Sequence, residues 1–132
     1  MPSRIRTFRK RYVAPLMPSN VPKIFLVGPN VEQISSFVNY LKGEDSQHDP
    51  LGQHPLFNVG LQLEIVKFQN KTYDLWNANS SKEEHLALWG VNSTFILLFG
   101  EDQTWYNRMK NMYPNTPIKI YNPLSIISNL EM

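Results

Sequence analysis

Apolar and polar positions repeat along this chain with two different periods, and the changes of period mark out its elements. Lys23–Val27 reads KIFLV, a short continuous apolar run of the kind buried on both faces of a sheet. Gly28-Pro29 ends it, and Asn30 with Gln33 three residues on forms a capping box for a helix. Ile34, Phe37, Val38 and Leu41 then fall at i, i+3, i+4 and i+7, so one helical face is core, and Gly43 stops the run. Residues 44–55 are polar. Over 57–68 the period becomes two: Leu61, Leu63 and Ile65 share a face with Gln62 and Glu64 opposite, which predicts a half-buried strand. Gln69-Asn70-Lys71 is a tight turn into a returning strand over 72–76.

After a loop over 77–81, Ser81 and Glu84 form a second capping box for a short helix carrying His85, Leu86, Leu88 and Trp89. Residues 94–99, TFILLF, are the strongest buried-strand signal in the chain. Asp102 can cap a helix with Trp105, Met109 and Met112 on one stripe, which Pro114 ends. A strand over 118–121 follows. Asn122-Pro123 opens a last short helix whose apolar side is Leu124, Ile127 and Leu130. The order β-α-β-β-α-β-α-β-α places one antiparallel hairpin in a βαβ series. It predicts an α/β fold: a mixed, mainly parallel sheet with helices on both faces.

A length of 132 residues fits one domain, here 23–132, and 42% hydrophobic residues supply a core for it. Residues 1–22 read as an arm, because Pro2, Pro15, Pro18 and Pro22 oppose a continuous helix. The formal net charge of +2 hides a split. Arg4, Arg6, Arg9, Lys10 and Arg11 crowd the arm, while the rest holds eight basic and eleven acidic residues, a balance of −3. The arm is therefore the part suited to an acidic protein or RNA. An Arg-rich, acid-free start also resembles a mitochondrial targeting segment; a solvated or partner-docked arm is the favoured reading. The chain has no cysteine, which excludes a disulfide framework, cysteine-held metal and thiol catalysis. It fits an intracellular or reducing setting, and no apolar run approaches a membrane span.

The stretch KIFLVGPNVEQISSF has the strand–glycine–loop–helix plan of a phosphate-binding loop without the residues that bind phosphate. Such a loop needs GxxxxGK[ST], with glycines for a backbone nest and a lysine on the β- and γ-phosphates. Gly28 holds the first glycine position, but Gln33 stands at the second, Ile34 at the lysine, and only Ser35 remains at the Ser/Thr. Loss of the lysine removes a charge-assisted contact worth about 1.5–3 kcal/mol. A side chain at Gln33 disfavours the nest by roughly 1–2 kcal/mol. Glu32 adds a negative charge inside the loop.

Taken together, the element order and three motifs resemble the Ras-like small GTPases (the Ran, Rab and Arf kind). KIFLVGPNVEQISSF lines up with the first strand, phosphate loop and helix, and Asn58 and Gly60 fall near the switch I threonine and glycine. YDLWNANSSKE lines up with switch II. There Asn77 replaces the magnesium-side aspartate, Ser80 the γ-phosphate-sensing glycine, and Ser81 the catalytic glutamine. IKIYNPLS lines up with the guanine-reading NKxD. Asn122 is kept, Pro123 replaces the lysine and Ser125 the aspartate. The resemblance implies a small-GTPase-like domain, shortened at its C-terminal end, with no catalytic residues, metal or nucleotide cofactor. It implies a non-enzymatic pseudo-GTPase acting as a structural or interaction subunit of a larger assembly. Its specific form is a minor structural protein of a large DNA virus particle. The alternatives are a weak, non-canonical nucleotide binder and an RNA-anchored component of an organelle ribosome.

Other constellations carry less. His48 and His54 with Asp45 and Asp49 have the side chains of a zinc site, but a solvated loop is the ordinary reading. Trp76, Trp89, Trp105 and Tyr106 are either core or a partner-binding patch, and core is favoured in a domain of this size.

Overall fold

The computed structural model describes residues 21–43 and 60–131. The basic arm, the His48–His54 loop and Asn58 lie outside the described residues. In chain order the elements are β1 Lys23–Val27, α1 Val31–Lys42, β2 Leu61–Phe68, β3 Lys71–Ala78 and α2 Glu83–Trp89. They continue with β4 Phe95–Leu98, α3 Gln103–Met112, β5 Ile118–Ile120 and α4 Ile126–Asn129. Five strands form one sheet in the order β2-β3-β1-β4-β5. β1 pairs in parallel with β3 (Ile24 opposite Leu75) and with β4 (Ile24 opposite Phe95), and β4 pairs in parallel with β5. Only β2 and β3 are antiparallel. The described residues thus form an α/β, Rossmann-like architecture with a mixed, mainly parallel sheet.

Strand alternation sorts the apolar side chains into two layers. Ile24 and Leu26 of β1 join Leu75, Phe95 and Leu97 beneath Ile34, Phe37, Val38 and Leu41 of α1, and Leu130 closes the same layer. Phe25 and Val27 point the other way and join Ile96, Leu98 and Ala78 beneath Leu86, Trp89 and Met109. Helices α1 and α4 therefore cover one face, and α2 and α3 the other. The polar signals for α1 and α3 act as read: Asn30 Oδ1 accepts from Gln33 N at 3.1 Å, and Asp102 Oδ1 from Trp105 N at 3.0 Å.

Three local expectations are corrected. Ile65 does not share the burial of Leu61 and Leu63; it is 49% exposed, because the layer over that end of β2 stops at Leu61 and Leu63. Val66 is buried instead, on the α1 side. Helix α2 is not opened by a Ser81–Glu84 capping box: it starts at Glu83, and its N-cap, Lys82, makes no side-chain cap bond. Leu124 does not lie on the apolar side of the last helix. That helix begins at Ile126, capped by Ser125, and leaves Leu124 92% exposed in the preceding turn.

The β2–β3 hairpin turns on two residues, Gln69 (φ 52°) and Asn70 (φ 68°). Two successive positive φ values give a type I′ turn, whose twist matches that of the strands. At the end of β1, Gly28 has φ 134°, and a Cβ there would stand 2.4 Å from the Phe99 carbonyl oxygen. The chain can therefore turn from β1 into α1 only by passing against the end of β4. Gly28→Ala is expected to lose about 2–4 kcal/mol of unfolding free energy. Urea denaturation checks this, and an unchanged midpoint would show that the turn relaxes freely.

Candidate functional site

In a parallel sheet the loops that follow the strands gather at one end, which is where ligands of open α/β sheets bind. Here those are the segments after β1 (28–30), β3 (79–82), β4 (99–102) and β5 (121–125). The sequence-derived candidates cluster around this end, and several of their side chains are engaged with the protein itself.

Three residues separate β1 from α1, so the positions expected to wrap a phosphate lie within the helix. Gln33 is in its first turn, with its N–H held by Asn30. Ile34, at the lysine position, is 1% exposed and points into the core with Phe37 and Phe99. Ser35 faces solvent from the body of the helix. The α1 donors are largely engaged within the turn: Val31 N donates to Pro29 O and Ile34 N to Asn30 O. An open depression of about 510 Å³ lies beside this turn, lined by Pro29, Asn30, Val31, Glu32 and Gly100. Among the described residues its one charged lining group is the Glu32 carboxylate, which repels phosphate.

Beneath the loops, three rings pack together within the α1 layer. Phe37 and Phe99 have centroids 5.5 Å apart, and Phe99 lies on Tyr121 at 4.4 Å, with interplanar angle 24°. This packing holds the ends of β4 and β5 and the middle of α1 together as one apolar floor.

At the switch II position, Asn77 is 5% exposed and its Nδ2 donates to Gln62 Oε1 at 3.3 Å. Gln62 Nε2 donates in turn to Glu64 Oε2, which pairs with Lys42 Nζ, both at 3.2 Å. Asn77 thus starts a polar ladder across the hairpin to the end of α1. Gly60 O accepts from Asn79 N at 2.6 Å, which ties the start of β2 to the same loop. Ser80 Oγ lies 2.9 Å from His85 Nδ1 and accepts from Lys82 N at 3.2 Å, and His85 stacks on Trp89 with centroids 4.6 Å apart. Ser81 is exposed, and its carbonyl accepts from Arg108 Nη2 at 2.7 Å.

At the guanine-motif position the loop is closed by a residue that sequence reading passed over. Asn129 is fully buried, accepts from Asn122 N at 2.7 Å, and donates to Asn122 O at 2.8 Å and Ser125 O at 2.9 Å. Asn122 Oδ1 accepts from Leu124 N at 2.9 Å, and Ser125 Oγ caps Ser128 N. Pro123 is exposed and has no N–H to offer. A lone Asn beside a terminal Leu gives no periodic signal, so Asn129 was invisible to pattern.

A second cluster lies at the opposite end of the sheet, where β1 begins. Lys23 Nζ donates to Val91 O at 2.8 Å and sits 3.7 Å from the centre of the Trp76 ring. Burial pulls its pKa down to about 8, against the opposing charge of Asp74. Burial raises the Asp74 carboxyl above its usual range, and the Trp76 indole and the Lys23 charge partly counter that rise. Trp76 Nε1 is buried and lacks a hydrogen bond of normal geometry, so its help to Asp74 is a weak electrostatic contact. The one sequence signal for this cluster was a lysine opening a wholly apolar strand.

Among the described residues no three histidine or carboxylate groups come together as a metal site, and no helix is long and apolar enough to cross a membrane. No known family model matches the chain, and a search of curated proteins returns no match.

Two outcomes are expected. Asn129→Ala removes three hydrogen bonds from the 122–125 turn and lowers stability by about 1–3 kcal/mol in chemical denaturation. In the pH profile, the lowered pKa of Lys23 means that its unfavourable burial is relieved as pH rises from about 8 toward 10.5. Tyr73, Tyr113 and Tyr121, held above their usual 10.0, act in the opposite sense above that value. The urea midpoint of the protein therefore rises between pH 8 and 10, and Lys23→Met abolishes that rise. An equal rise in the variant would assign it to other groups.

Proposed function

We propose that this chain is a non-enzymatic domain of small-GTPase-like design that serves as a structural or interaction subunit of a larger assembly. The observation that carries the reading is that the strand-end loops spend their polar groups on one another. Asn30 caps α1, Ser80 engages His85, Asn77 engages Gln62, and Asn129 closes the 122–125 turn. Ile34 in the core and Glu32 at the mouth add to it, since neither its place nor its charge suits a polyphosphate. The hairpin in second position of an otherwise parallel sheet supports the small-GTPase-like assignment.

The interaction role rests on what the sheet leaves open. Among the described residues β5 is three residues long and has one neighbour, β4. In and just after it, Ile120, Leu124 and Ile127 are 38%, 92% and 43% exposed. An open edge beside exposed apolar side chains is a liability that a partner surface relieves. The arm, with Arg4, Arg6, Arg9, Lys10 and Arg11, supplies a second contact for an acidic protein or RNA. A minor structural protein of a large DNA virus particle is the narrower form of this proposal.

Calorimetric titration of the full chain with GTP, GDP and ATP, with and without magnesium, tests the reading. The expected result is no binding tighter than about 1 mM. A micromolar dissociation constant for any of the three would overturn it in favour of a surviving nucleotide site.

A further inference from the structure

Ser80 and Ser81 are adjacent, and each is followed three residues later by a glutamate, Glu83 and Glu84. By sequence both have the acidic downstream context that acid-directed serine kinases read. The fold separates them. Ser80 Oγ is engaged by His85 Nδ1 and by the Lys82 N–H. Ser81 is exposed, lies in a segment outside helix and strand, and its hydroxyl has no hydrogen-bond partner among the described residues. The other described serines are less available. Ser35 and Ser36 sit within α1, Ser93 Oγ donates to Gly90 O, and Ser125 and Ser128 bond to each other.

Across from Ser81 stands a cation that no acid among the described residues claims. Arg108, on α3, reaches 27 residues back along the chain to place Nη2 2.7 Å from the Ser81 carbonyl oxygen. Its guanidinium carbon is 4.8 Å from the centre of the Trp105 ring, which holds the planar group in position. The one ion pair among the described residues joins Lys42 and Glu64, so Arg108 faces no carboxylate. One of its five N–H donors is occupied by Ser81 O, and the rest match the bidentate geometry of a phosphate.

We propose that Ser81 is a phosphorylation site and that Arg108 receives its phosphate. In the transfer, Ser81 Oγ attacks the γ-phosphorus of ATP held by an acid-directed serine/threonine kinase. The Oγ–P bond forms, the bond to the ADP oxygen breaks, and the hydroxyl proton passes to the kinase's base. The new dianion then fastens the 79–82 segment to α3 through Arg108. Glu83 and Glu84 repel it, but both are exposed and screened, whereas Arg108 is fixed beside the acceptor. This inference is independent of whether the strand-end loops bind nucleotide.

The full chain is treated with a casein-kinase-type acid-directed kinase and Mg-ATP, and the product is mapped by peptide mass spectrometry. A phosphate is expected on Ser81, retained in Ser80→Ala and lost in Ser81→Ala; both substitutions touch half-exposed or exposed positions and leave the core intact. No incorporation on Ser81, or incorporation on Ser80 ahead of Ser81, overturns the acceptor assignment. Thermal melts of modified and unmodified protein then test the receiver. The midpoint is expected to rise by about 2–5 °C on phosphorylation and not to rise in Arg108→Gln. An equal rise in Arg108→Gln overturns the role of Arg108.

Discussion

β1 has no exposed side chain from Ile24 to Val27, and both its edges are hydrogen-bonded, one to β3 and one to β4. That double burial is the constraint from which the remaining architecture follows. Alternation along the strand feeds Ile24 and Leu26 to one layer and Phe25 and Val27 to the other, so each layer needs its own helices. With a neighbour on each side, the strand can leave the sheet only by its ends. Gly28 makes that exit by pressing against the Phe99 carbonyl, where any Cβ would collide.

The same exit brings four loops to one end of the sheet, the usual place for a ligand in this architecture. In this chain they meet one another. The Phe37, Phe99 and Tyr121 rings form the floor, Asn129 locks the loop after β5, and the polar ladder from Asn77 to Lys42 ties the hairpin to α1. A buried polar group must be paired, and pairing inside the protein serves as well as pairing to a ligand. A strand-end region can thus keep the outline of a binding site while its hydrogen bonds are internal.

Much of the fold was legible because local and long-range signals agree. The KIFLV and TFILLF runs are central strands, and Asn30 and Asp102 cap the helices that follow them. What failed to show were features decided across the fold. Periodicity placed Ile65 with Leu61 and Leu63, but it carries no information about where the covering layer ends. Ser81 had the right spacing to Glu84 for a cap, yet the polar contacts of that loop formed through Ser80 and His85. Leu124 matched a helical stripe until Asn122 and Asn129 folded the chain into a turn ahead of the helix. Lys23 and Arg108 act on residues distant in sequence, so no local pattern could assign them roles, and Asn129 closes a short turn that carries no periodic signal.

The pairing of β1 also sets the order in which the domain can be made. The hairpin of β2 and β3 is local, and its two-residue turn lets it close early. β1 precedes both, yet its second edge, where Ile24 meets Phe95, cannot be filled until β4 has been synthesised. During synthesis the apolar β1 must therefore wait with one side open, a non-local closure that slows folding and exposes it to wrong partners. This topology therefore makes its demand on the order of folding as well as on equilibrium stability.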